Sequence, residues 1–142
     1  MKNIALLLSL SLLSCSLSAE LEIRDASHSP INGYTEATYD AGKEKRKVYL
    51  DSAVLLSSKD LADAFAQETG ATYSVSLTFT DESSIQLRKL TEKRINKEIA
   101  FIIDGEVLSV VTIMAPIGKN AQLTSFSKSE AEKLAKKILN HN

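Results

Sequence analysis

Asp104-Gly105 sits between two β-prone apolar runs, residues 99–103 and 107–113. Glycine accepts the positive φ that a two-residue turn demands, so this pair is a strong local hairpin signal. Both runs are apolar at nearly every position, which predicts strands covered on both faces. Such a hairpin cannot stand alone in water, so the rest of the chain has to supply more strands and a covering layer.

The remaining pattern supplies them. Val48-Tyr49-Leu50 and residues 53–56 are short β-prone pieces. Ser57 and Asp60 have the spacing of a capping box, and Leu61, Ala64 and Phe65 follow at helical intervals up to Gly70. That spacing predicts a helix stopped by a C-terminal glycine. Residues 73–80 alternate, with Tyr73, Val75, Leu77 and Phe79 on one face and Ser74, Ser76 and Thr78 on the other, as a strand requires. Thr80-Asp81 then offers an N-cap. A helix to about Asn96 places Leu87, Leu90 and Ile95 inward. Pro116 and Gly118 end the second hairpin strand, and residues 121–126 read as another strand. Ser127 and Glu130 make a second capping box ahead of Ala131, Leu134, Ala135, Ile138 and Leu139, an amphipathic helix by spacing. The expected fold is α+β. It is a largely antiparallel sheet with helices packed on one side, in the order β(β)αβαβββα.

The N-terminus reads as an export leader. Lys2 is the only charge before Glu20, and an apolar run over residues 4–13 is followed by small residues. That is the pattern of a secretory signal, and it is too short to span a bilayer. Leu12-Leu13-Ser14-Cys15 resembles a lipobox, with residues 1–14 removed and Cys15 acylated. Ordinary cleavage after Ser18 or Ala19 is the alternative. Residues 15–47 read as a polar tether. Leu21-Glu22-Ile23-Arg24 alternates as a possible short strand, and Pro30, Gly33 and Gly42 mark loops. Residues 43–47 carry four positive charges and one negative. They read as a solvated loop end; the sharper reading is contact with anionic headgroups, worth about 1 kcal/mol per basic group. The folded unit is then expected over residues 48–139.

Composition bounds the function. The 142 residues carry 17 basic and 18 acidic side chains, net −1, so no positive excess is available to neutralise phosphates and no nucleic-acid partner is expected. Low aromatic content without Trp argues against a stacking platform. His28 and His141 have no patterned Cys, Asp or Glu beside them, so no metal site and no cofactor is expected. No nucleophile elbow or phosphate loop is present. Asp104 reads as a turn former, and Asp81 and Glu82 as first-turn helix charges. Tyr34 and Tyr39 are expected to be exposed, where local ordering explains them as well as binding does. No catalytic residue is assigned, and the chain is expected not to be an enzyme.

Several motifs, in order, resemble the head subdomain in the first periplasmic region of SecD, an accessory subunit of the bacterial protein-export translocase. They are Val48-Tyr49-Leu50; Leu55-Leu56-Ser57; residues 75–80; Leu90-Thr91-Glu92; residues 96–109; Pro116-Ile117-Gly118; Gln122-Leu123-Thr124 with Phe126; and Glu130-Ala131 with Leu134-Ala135. The chain departs from the pattern at Asn96, at Val110-Val111 and in the shortened loop 118–120. The membrane helices and base subdomain of SecD lie outside the resemblance. What the resemblance implies is a module on the periplasmic side of a membrane, and the lipobox-like leader adds the expectation that a lipid on Cys15 holds it there. It would contact an exported polypeptide or a translocase subunit. The alternative is an envelope interaction or structural lipoprotein using the same fold for another protein partner, or a soluble periplasmic or secreted form.

Overall fold

A computed structural model describes residues 20–41 and 43–139. The predicted hairpin is present as β6 (Glu98–Ile103) and β7 (Glu106–Thr112), paired antiparallel. Asp104 and Gly105 turn with φ of 52° and 79°, the double positive φ of a type I′ turn. Side chains of β6 alternate between two cores. Ile99, Phe101 and Ile103 enter one, and Ala100 and Ile102 enter the other.

The strand on the other side of β6 is β1 (Leu21–Ser27), antiparallel to it with Leu21 opposite Ile103. β1 lies mid-sheet, because β3 (Glu44–Ser57) pairs with its other edge and β2 (Thr35–Ala41) pairs with β3. The order is β2-β3-β1-β6-β7. This corrects the reading of residues 15–47 as a tether and of residue 48 as the start of the folded unit: within the described residues the fold begins at Leu21. The polar sequence of β2 misled because only Tyr39 of that strand is buried, with Ala37 and Ala41 packed partly beside it. Lys45, Arg46 and Lys47 open β3 as exposed strand positions, not as a loop.

A second correction concerns residues 61–69. Ser57 and Asp60 do form a capping box, and the Ser57 N–H donates to Asp60 Oδ2 at 2.9 Å. The box caps only a 3₁₀ turn, Ser58–Asp60, after which the chain runs as β4 (Leu61–Thr69). β4 pairs antiparallel with β5 (Thr72–Phe79) through a turn in which Gly70 takes φ 62°. A bulge between Leu61 and Asp63 places Leu61 opposite Phe79 and Ala64 opposite Leu77, so both face the core. One extra residue in a strand thus reproduces the i, i+3 spacing of a helix.

β8 (Asn120–Phe126) joins the far edge of β5 in a separate three-stranded sheet, β4-β5-β8. The expected single sheet is therefore two. The helices are α1 (Asp81–Glu92), whose first turn is capped by Thr80 Oγ1 accepting from the Ser83 N–H at 3.1 Å, and α2 (Lys128–Leu139). α1 stops short of Asn96, which takes φ 67°, and Ile95 is exposed where the helical pattern placed it inward. The main core collects Leu21, Ile23, Phe101, Leu77, Phe79 and Leu123, with Leu87 from α1 and Ala131, Ala135 and Ile138 from α2. A smaller core (Val48, Leu50, Ala100, Ile102, Val107) fills the opposite face of the five-stranded sheet, where β2 comes into contact with β7. The architecture remains α+β and mostly antiparallel.

A polar cleft between the first strand and the end of the first helix

A cleft of about 550 Å³ opens where the end of β1 meets the turn between α1 and β6. That volume lies within the range of small ligand sites. Each wall follows from local chemistry. α1 ends at Glu92, and four residues on Asn96 turns the chain at positive φ, a conformation asparagine tolerates better than most side chains. The Asn96 N–H donates to the Ile113 carbonyl at 2.7 Å, and the Ile113 N–H returns to the Lys97 carbonyl at 2.8 Å. The turn is thereby stitched to the end of the hairpin. Buried Thr91 fixes it from below. Its hydroxyl donates to the Leu87 carbonyl at 2.8 Å and accepts the Ile117 N–H at 2.8 Å.

Arg94 is held on this turn by two contacts. Its Nη1 donates to the Leu90 carbonyl at 2.9 Å, satisfying an orphan acceptor at the helix end. Its Nε and Nη2 donate to Asp25 Oδ1 and Oδ2 at 2.6 and 3.0 Å. This two-pronged pair ties β1 to the end of α1, with both side chains about one-fifth exposed. The hydrogen bonds to Asp25 raise the Arg94 pKa further. The loop after β1 folds back at Gly33, with φ 88°, and places Ile31 and Tyr34 on the opposite wall. Burial, followed by the charges of Asp25 and Asp51, pushes the Tyr34 phenol above its ordinary pKa and keeps it protonated. Beside the cleft, His28 Nδ1 meets Glu98 Oε2. Its Nε2 shares a hydrogen bond with the Tyr39 hydroxyl at 2.7 Å.

Sequence reasoning found few of these partners. Tyr34 is half-buried and Tyr39 is buried, not exposed. His28 does have an acidic neighbour, Glu98, but one 70 positions away along the chain. Asp25 and Arg94 were not singled out. The only signal was Asp25 itself, an acid that follows Arg24 and interrupts the alternation of β1. Asp104 stands in its turn. Asp81 pairs with Lys119 at 2.9 Å, which holds its carboxyl below the usual range, and Glu82 is exposed. Among the described residues no group of three or more His, Cys, Asp or Glu is placed to hold a metal ion. Cys15 and His141 lie outside the described residues. A second cleft, about 380 Å³, lies where Tyr39 and Lys45 approach Gly105 and Val107.

Two antiparallel sheets around a shared core, with a polar cleft set by one strand and one helix end, define a small α+β module. Residues 35–140 match the family model described as "SecDF, P1 head subdomain", and the chain belongs to that family. It is 36% identical over 90 residues to the protein translocase subunit SecD of Acidaminococcus fermentans, covering 61% of this chain and 21% of that protein. The chain thus spans about one-fifth of the length of this relative. Among solved structures it resembles SecDF in its super-membrane-facing form, at TM-score 0.67 and 27% identity over 84% of this chain and 18% of the other. It also resembles SecDF described as a membrane component that enhances protein export, at TM-score 0.68 and 26% identity over 85% and 62%. A further match is SecDF of Thermus thermophilus, described as translocon-associated, at TM-score 0.53 and 26% identity over 86% and 19%. Among the described residues of this chain, no helix is long and apolar enough to cross a membrane.

Proposed function

We propose that this protein is a binding module on the periplasmic side of a bacterial membrane, that it contacts unfolded or translocating polypeptide or a translocase subunit, and that it does so without catalysing a reaction. Membership of the SecDF head family carries the reading. The sheet edges support it. In the five-stranded sheet the outer strands β2 and β7 come together, whereas β4 and β8 end the three-stranded sheet. β4 has nine residues, no lysine or proline, and an exposed Phe65. The bulge of β4 is confined to its start, between Leu61 and Asp63; beyond it the edge runs in regular register to Thr69 and suits an added extended peptide.

Acylation of Cys15 is the proposed means of attachment, and mass spectrometry of the mature N-terminus tests it. A mature chain starting at Glu20 without lipid rules it out. Site-specific crosslinking from Phe65 during export tests the function. Capture of an exported chain or a translocase subunit is expected. Neither captured, while a known translocase contact crosslinks in the same cells, sinks the reading. The second reading, an envelope protein using this fold for a different partner, draws on the small share of SecD that the chain spans. A stoichiometric partner outside the translocase, pulled down from envelope extracts, would favour it.

A further inference from the structure

The cleft at the end of α1 holds more hydrogen-bond donors than its own acceptors engage. Asp25 gives both oxygens to Arg94, and Glu98 meets His28. Asp25 is therefore paired with a cation, and one Glu98 oxygen is engaged by the His28 ring. Lys93 and Lys97 line the same cleft from either side of the Arg94–Asn96 turn, both exposed. Neither makes an ion pair among the described residues. The Tyr34 hydroxyl, half-buried on the facing wall, is a protonated donor with two carboxylates in its surroundings. Ile31 adds an exposed apolar surface beside it.

Two unpaired cations and a phenol around a cavity of this size complement an anion with two acceptor oxygens. We infer that the cleft receives a carboxylate from an extended polypeptide, seated between Lys93, Lys97 and the Tyr34 hydroxyl, with Ile31 against a neighbouring apolar side chain. The carboxylate is either an acidic side chain or the C-terminus of a chain. Hydrogen bonds between charged groups are about twice as strong as neutral ones, so the ligand's charge sets the preference. This deepens the polypeptide-binding reading and rests on it.

The test is a nuclear magnetic resonance titration of the full mature chain with three short peptides that share one apolar core. The first carries an internal Glu and an amidated terminus. The second has Gln for that Glu and a free C-terminus. The third has Gln and an amidated terminus. Either or both of the first two should shift the amides of Tyr34, Lys93 and Lys97, and bind about tenfold more tightly than the third, the gain expected of one charged hydrogen bond. Which of the two does so names the source of the carboxylate. The double variant Lys93→Gln/Lys97→Gln should abolish that gain. Both side chains are exposed, so its remaining resonances should keep their positions. Equal binding of all three peptides, unchanged in the double variant, overturns the carboxylate inference and leaves the polypeptide reading standing. Binding by none of them overturns the inference and weighs against that reading too.

Discussion

Deleting β1 should abolish the fold, although β1 lies outside residues 35–140, the part matched by the family model. Leu21 and Ile23 are 0% and 1% exposed, both within the main core. Burying each such side chain contributes about 1.5–3 kcal/mol, so the two together supply roughly 3–6 kcal/mol. The deletion also strips β3 and β6 of a partner on facing edges and leaves Arg94 without Asp25. Each backbone bond lost costs about 1 kcal/mol net. Whole domains are stable by only about 5–15 kcal/mol, so the loss is of the same size as the total. The assay is urea unfolding followed by far-ultraviolet circular dichroism, comparing a chain that starts at residue 20 with one that starts at residue 28. The longer chain should unfold cooperatively, and the shorter should show no transition. Ile23→Ala should be intermediate and lower stability by about 2–5 kcal/mol with an unchanged slope. A shorter chain with the same midpoint and slope as the longer one would refute the central placement of β1.

Thr91→Val keeps the shape of a buried side chain but leaves the Ile117 N–H without its acceptor; it should cost about 1–3 kcal/mol in urea unfolding. Asp25→Asn removes the charge that faces Arg94 in a mostly buried pair; a loss of about 2 kcal/mol is expected by thermal unfolding, and Asp25→Asn combined with Arg94→Met should recover part of it. Tyr34 has a raised folded-state pKa, so its contribution is intact below the ordinary tyrosine pKa of about 10 and falls as pH rises above it, because the unfolded chain then binds fewer protons. Tyr34→Phe should therefore flatten the alkaline decline in stability above about pH 10, measured by urea midpoints, and an unchanged slope would contradict the half-buried placement of Tyr34 near Asp25 and Asp51.

The parts of the fold that were legible in the sequence are those whose causes are local. Asp104-Gly105 turns by its own backbone preference, and Ser127 caps α2 through a hydroxyl that accepts the Glu130 N–H three residues on. Residues 61–69 were misread because a bulge copied helical spacing, and pairing of Leu61 with Phe79 decided the matter from outside the segment. β1 was legible only as four alternating residues, since its partners lie some 30 and 80 positions away. The cleft was almost wholly hidden for the same reason. Asp25 and Arg94 are ordinary surface residue types in the sequence, and only the β1–β6 register brings them within 2.6 Å.

The central place of the first strand has a consequence for timing. A chain is made from its N-terminus, and Leu21 must wait for Ile103, some 80 residues later, before its β6 partner exists. Pairings so distant in sequence slow folding, since the intervening loop has to be closed before any contact rewards it. Until then β1 can pair only with β3, and Leu21 and Ile23 lack the β6 side of their core. The sheet therefore cannot close before most of the chain's length has been made.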